Sequence, residues 1–330
     1  MNNKLQENLN LFVSNNNDLK GAFVWHEPMT KRLASLVYAL EGKTIDNESI
    51  KKAHEIIKAE TGVFSTFRGN LAVYIAAMLA MTDNPKEKMQ QTLEVYNMMK
   101  ASRFYASDYL VAASFEVASQ SKPENFQMVV DRAREFFLEM KKNNRFLIGS
   151  DDYIFCAMLA LSDLEPHAGA NKMKKIFRNL KKEFFYRSSI LTLSQMLVLG
   201  GKTDECVANI LHLNRTLRGC SIRLDKAYTL PSLGVLSMVS DNHDKLATDI
   251  EDSMGFLREQ KGFGRFSVSS QEILLYVVSI ICNVYADEMK DDLSRTSLSS
   301  GITNMIIAQQ TAMLVAITSA SIAASSAASC

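Results

Sequence analysis

An almost uncharged apolar segment, a short polar turn and a strongly charged amphipathic segment recur along this chain with a period of about 40 residues. The turns fall near Gly42, Thr82, Ser119, Ser162, Gly200 and Ser240, at intervals of 40, 37, 43, 38 and 40. A unit that short cannot bury its own apolar face, so successive units must stack, and the period points to an array of helical hairpins. Such an array holds things against a long surface. The repeat itself carries no chemistry.

The apolar segments lie near Leu71–Met81, Tyr109–Val117, Tyr153–Leu161, Ile190–Leu199, Leu230–Val239 and Ile273–Val284. A helix that is apolar all round has to be covered on most faces, whereas an amphipathic one buries a stripe and wets the rest. Two layers follow, with apolar helices inside and charged helices outside. The charged helices are expected near Asn47–Ala59, Pro85–Ala101, Pro123–Lys142, Ala170–Tyr186, Thr203–Leu217 and Asp241–Gln260. Asn70, Asp108, Asp152 and Ser189 stand just before inner helices, as residues that satisfy helix-start amides would. An amphipathic helix near Lys4–Leu19, with Leu5, Leu9, Phe12 and Val13 on one side, precedes the first hairpin. Five Pro and 14 Gly are few enough for an all-α chain. The expected fold is six or seven helical hairpins in an α-solenoid or α/α toroid-like superhelix.

No charge follows Arg295 for 35 residues. The expected division is residues 1–295 as the repeat domain and 296–330 as an uncharged helix and small-residue tail of the same fold. Ile302 to Ile322 is long enough to cross a bilayer. Gln309 and Gln310 near its middle are expensive in lipid but easily satisfied inside a protein. A helix packed on or within the array is therefore the favoured reading, with a membrane anchor or a partner-binding helix as alternatives.

Lys and Arg number 37 against 36 Asp and Glu, a net charge of +1. Phosphate backbones demand a cationic surplus, so nucleic acid is not an expected partner. One local exception is the helix at Lys172–Lys182. Met173, Ile176, Phe177, Leu180 and Phe184 share a sector, and Lys174, Lys175, Arg178, Lys181 and Lys182 occupy the opposite one. It reads first as a solvated outer face and secondly as a contact for anionic lipid or an acidic partner. The cysteines, Cys156, Cys206, Cys220, Cys282 and Cys330, show no paired spacing and sit mostly in apolar stretches. Buried thiols and a polar start without a signal-peptide core point to the cytoplasm.

No phosphate loop, dinucleotide fingerprint, nucleophile elbow or kinase signature is present. His26, His54, His167, His212 and His243 lack the spacing that would place two metal ligands on one helix face. Glu165 and His167 near Asp151, Asp152 and Asp163 read as an acidic turn rather than a metal cluster. Asp151-Asp152 is not followed by the further Asp of a prenyl-diphosphate motif. Gly262-Phe263-Gly264-Arg265 reads as a connector. Neither a metal nor a cofactor is expected.

Several stretches are familiar as a set: Arg68-Gly69 leading to Met81-Thr82-Asp83-Asn84-Pro85, Tyr105-Ala106-Ser107-Asp108-Tyr109-Leu110, and Ile148-Gly149-Ser150-Asp151-Asp152-Tyr153. With them come Leu193-Ser194-Gln195-Met196-Leu197-Val198-Leu199-Gly200 and Ile307-Ala308-Gln309-Gln310. Nearly the whole chain resembles a bacterial family found mainly in Gram-positive organisms, domain of unknown function 4003. That resemblance implies an intracellular helical protein with no established activity, and it supplies no catalytic or binding residues.

The function expected is a non-enzymatic scaffold gripping a protein or peptide in a groove or on hairpin loops, with small molecules left open. A helical-toroid enzyme is the alternative, with Arg68, Asp108, Asp151 and Asp152 as polar residues at inner-helix ends. A third reading is a tail-anchored or peripheral membrane protein using the basic helix and the neutral tail.

Overall fold

In the computed structural model, which describes residues 2–24, 26–143, 145–288 and 296–327, every regular element among the described residues is helical. The helices are α1 (Asn3–Ala22), α2 (Pro28–Leu40), α3 (Asn47–Glu60), α4 (Ala72–Ala80), α5 (Pro85–Ala101), α6 (Asp108–Gln120), α7 (Phe126–Asn143) and α8 (Tyr153–Leu161). There follow α9 (Pro166–Leu180), α10 (Arg187–Leu199), α11 (Val207–Gly219), α12 (Ser232–Val239), α13 (His243–Glu259), α14 (Ser270–Glu288) and α15 (Thr296–Ala327). Short 3-10 turns at Thr66–Arg68 and Ser150–Asp152 lead into inner helices.

Burial follows the charge pattern. Tyr153 to Ala160 of α8 and all of α12 are buried, whereas α3 buries only Ile50, Ala53 and Ile57. The chain forms two compact units. The first comprises Met1–Asn15, Leu36–Thr44 and Asn171–Gln309, and the second Asn16–Ser35, Ile45–Ala170 and Gln310–Cys330. In the second unit, α3 packs on α4, α5 on α6 and α7 on α8, while α6 lies against α8 and α5 against both α3 and α7. In the first unit, α11 packs on α12 and α13 on α14, with α12 between α10 and α14 and α11 beside α13. Each unit is thus a stack of hairpins with an apolar and a charged layer. In the first unit Phe12 of α1 meets Phe263 and Tyr276, with ring centroids 5.3 and 5.2 Å away.

The connections from apolar to charged helices are tight. Asp46, Asn84 and Asn242 accept from the amides of Glu48, Glu87 and Lys245, capping α3, α5 and α13. Gly42 and Gly201 follow α2 and α10 in the left-handed region, at φ +65° and +70°, closing those helices with Schellman-type bonds. At the opposite ends the expected caps work differently. Ser107 caps α6 by accepting from Leu110, leaving Asp108 as its first residue. Asp152 accepts from the Gly149 amide, and Ser189, inside α10, donates to the Ala227 carbonyl. Asn70 serves through its main-chain carbonyl, which accepts from Thr30.

Helix α15 is an integral part of the fold. Its stretch Gly301–Thr318 is long and apolar enough to cross a membrane, yet most of it is buried in the protein. In the first unit Thr303 Oγ1 donates to Asn283 Oδ1 at 2.9 Å, and Gln309 Nε2 donates to Ser232 Oγ at 2.8 Å. In the second, Thr311 Oγ1 donates to Tyr74 Oη at 2.9 Å. Thr303, Gln309 and Thr311, polar groups that lipid would orphan, have protein partners here. The boundary at Arg295 and Cys330 lie outside the described residues. Among the described residues Cys156, Cys206, Cys220 and Cys282 are free thiols, two of them buried.

Candidate functional site

The connections from charged to apolar helices are longer, and each is built alike. At least one apolar side chain turns inward and pins each loop: Phe67, Phe104, Ile148, Phe184, Leu224 and Phe263 are all buried. An aromatic ring turns outward on each: Phe64, Tyr105, Phe146, Phe185 with Tyr186 beside it, Tyr228 and Phe266. Phe64, Phe146 and Phe266 are essentially fully exposed, at 103%, 97% and 107%. Intervals of 41, 41, 39, 43 and 38 residues match the hairpin period. Scattered surface apolar residues need no explanation, but a periodic set on one class of loop does.

Within the second unit the loops bearing Phe64, Tyr105 and Phe146 are consecutive, and the 3-10 turns Thr66–Arg68 and Ser150–Asp152 both pack on α6. A cleft of about 370 Å³ opens between the α5–α6 loop and the start of α8. Its walls include Arg103, Tyr105, Arg134, Phe137, Lys141 and Tyr153. The Arg134 guanidinium lies over the Phe104 and Phe137 rings, 5.7 and 5.3 Å from their centroids. Its Nη1 donates to the Arg103 carbonyl at 3.5 Å. Lys141 Nζ sits 5.2 Å from the Phe137 centroid. The Tyr153 hydroxyl accepts from the Tyr105 amide at 3.2 Å, and its pKa is raised by burial. Arg103 ends α5 at φ +66°, where a side chain is strained and glycine is favoured. Leu138 and Lys141 also border a second cleft, of about 610 Å³, whose walls carry Glu135, Glu139, Arg145 and His167. There Glu139 pairs with Lys142 and, at 3.2 Å, with His167, which together hold its carboxyl below the usual range.

The first unit has a cleft in the matching position, about 430 Å³, between the end of α11 and the start of α14. Its chemistry differs. Arg223 is taken by Asp225 through two bonds of 3.0 and 3.1 Å, and α13 contributes Glu251 and Met254.

The four acids and bases singled out from the sequence lie on turns that pack on α6 or at its start. Arg68 donates to the Thr61 hydroxyl and to the Lys58 and Thr61 carbonyls, closing the end of α3. Asp152 holds the Gly149 amide. Asp108 lies beside Gly69, and Asp151 beside Gly149; burial raises both carboxyl pKa values. The basic helix α9 ends at Leu180, with Lys181 and Lys182 just beyond it. Met173, Ile176, Phe177 and Leu180 are buried, Lys175, Arg178, Lys181 and Lys182 are exposed, and Lys174 is half-buried. Among the described residues no group of three or more His, Cys, Asp or Glu could hold a metal ion.

Two features escaped the sequence reading. The outward aromatics were visible as Phe or Tyr beside Arg and Ser at the repeat period, in Arg103-Phe104-Tyr105, Arg145-Phe146 and Arg265-Phe266. Glu116 stands inside the otherwise apolar face of α6, bonded by Gln120, and burial raises its pKa to about 7.

Comparison with known proteins adds kinship without an activity. The chain is 21% identical over 328 residues to the uncharacterized protein YeaA of Bacillus subtilis strain 168, covering 97% of this chain and 96% of that one. No solved structure matches. A family model described as a protein of unknown function, DUF4003, matches residues 15–311, and the chain belongs to that family.

Proposed function

We propose that this protein is a non-enzymatic helical scaffold that grips an extended segment of another protein along its charged-to-apolar loops. The observation behind this reading is an exposed aromatic ring on each such loop, at least one per hairpin, with clefts between successive loops. Covering an exposed ring of that size contributes roughly 1.5–3 kcal/mol, so three in a row offer a useful binding increment before ordering costs. The period of the rings suits an extended chain that meets each loop in turn. Free buried thiols at Cys156 and Cys282 support a reducing, cytoplasmic setting.

The test is to pan the full-length protein against a displayed library of random decapeptides. The reading expects enrichment of peptides with spaced apolar residues, and loss of their binding in the triple variant Phe64→Ser, Tyr105→Ser, Phe146→Ser at unchanged melting temperature. Failure to enrich any peptide, or retention of the protein on lipid vesicles through the same three rings, would remove it.

A further inference from the structure

The clefts in the two units occupy the same position in their hairpins but differ in charge, and the difference bears on the ligand. In the second unit Arg103, Arg134 and Lys141 converge on about 370 Å³. None of the three has an ion pair with a carboxylate among the described residues. In the first unit Ser221 stands in Arg103's place, the nearby Arg223 is neutralised within its own loop by Asp225, and the outer helix brings Glu251. Cationic character is therefore a property of one cleft, not of the repeat.

We propose that the cleft bounded by Arg103, Arg134 and Lys141 binds the carboxylate side chains of an acidic, apolar-flanked peptide segment. This rests on the scaffold reading and names the class of peptide that one cleft takes. Three features select a carboxylate on an apolar neighbour. The Phe104 and Phe137 rings hold the Arg134 guanidinium, and with Nη1 on the Arg103 carbonyl its Nε and Nη2 edge remains as a planar fork matching a carboxylate. Lys141 supplies a second charge on the Phe137 side. Leu138, Ile148 and the exposed Tyr105 give an apolar rim for the residues on either side of the acid.

Arg103 provides the sharpest handle. Its left-handed backbone is unfavourable for any side chain. A glycine there would hold the Schellman turn better while removing one of the three charges. Strain kept at a binding cleft is a familiar signature of function. Arg103→Gly should therefore raise stability and lower affinity together, a combination that misfolding cannot produce.

The experiment is fluorescence anisotropy on the full chain with three labelled decapeptides of alternating pattern, Glu/Leu, Gln/Leu and Lys/Leu. The Glu/Leu peptide should bind roughly tenfold more tightly than Gln/Leu, with Lys/Leu weakest and the preference shrinking in high salt. Arg103→Gly and Lys141→Gln should each weaken the Glu/Leu peptide by about three- to tenfold and leave Gln/Leu unchanged. Inorganic phosphate should not displace it at millimolar concentration. Equal affinity for Glu/Leu and Gln/Leu would overturn the assignment while leaving the scaffold intact. Unchanged Glu/Leu binding in both variants would remove it from this cleft, and displacement by phosphate would give the cleft to a phosphate ligand. If no peptide bound, the scaffold reading would fall as well.

Discussion

The Nδ1 atoms of His212 and His243 face each other at 2.8 Å across α11 and α13. A hydrogen bond between two ring nitrogens needs one of them bare, so the contact excludes the doubly protonated pair. His243 is buried, and burial first, then His212, lowers its pKa; Asp241 and Asp244 oppose the shift. A histidine with a depressed folded-state pKa gives stability that is present above its unfolded value and lost as pH falls through the folded one. His26 and His54 are shifted the same way, each mainly by burial. The urea midpoint should hold above about pH 6.5 and fall below it. His243→Gln should flatten part of that fall; a variant with the wild-type pH profile would show that the pair does not drive it.

Ser221 ends α11 at φ +60°, with the Ile222 amide reaching back to Leu217 and the Ser221 amide to Arg218. Glycine adopts that conformation without the steric penalty, although it also loosens the unfolded chain. Ser221→Gly should stabilise the protein by about 0.5–1 kcal/mol in equilibrium unfolding. A decrease would mean that the turn does not hold this geometry.

Glu116 gives the opposite pH sign to the histidines. Burial raises its pKa from 4.5 to about 7, so the stability it confers is present below the ordinary carboxylate range and is lost as pH rises toward 7. Glu116→Gln keeps an acceptor for Gln120 and removes the charge. At pH 8 it should stabilise by about 1 kcal/mol, allowing for the residue's partial access to water, and near pH 4 it should be neutral. Urea melts at the two pH values decide the matter.

Tyr74 is buried with its hydroxyl bonded to Thr311 of α15. Thr311→Val keeps the shape and leaves that hydroxyl unpaired, which should cost about 1–3 kcal/mol. Tyr74→Phe in the same background should recover most of the loss, because the orphaned group is gone. A double-mutant cycle with no coupling would place α15 elsewhere than against Tyr74.

The period, the two classes of helix and the turns near Thr82, Ser162 and Gly200 were legible because burial needs apolar faces at helical spacing, a local property of sequence. The caps were half legible. Asp108 and Asp152 looked like N-caps, but Ser107 caps α6 and Asp152 serves Gly149, because cap geometry depends on where the first helical amide points. Arg68 closes α3 through carbonyls seven and ten residues upstream, a partnership that helical spacing does not announce.

By itself, then, the sequence determined an all-α chain, its hairpin period, its inner and outer helices, and an uncharged last helix that must be covered. Tertiary structure decided what covers that helix: Asn283 and Ser232 receive Thr303 and Gln309, and Tyr74 receives Thr311. It also decided which aromatic of each loop faces water, and that Arg103, Arg134 and Lys141 share a cleft while Arg223 is neutralised. Periodicity is written in neighbours along the chain. Charge convergence and polar satisfaction arise between residues tens to hundreds of positions apart, where only the packed helices set the distance.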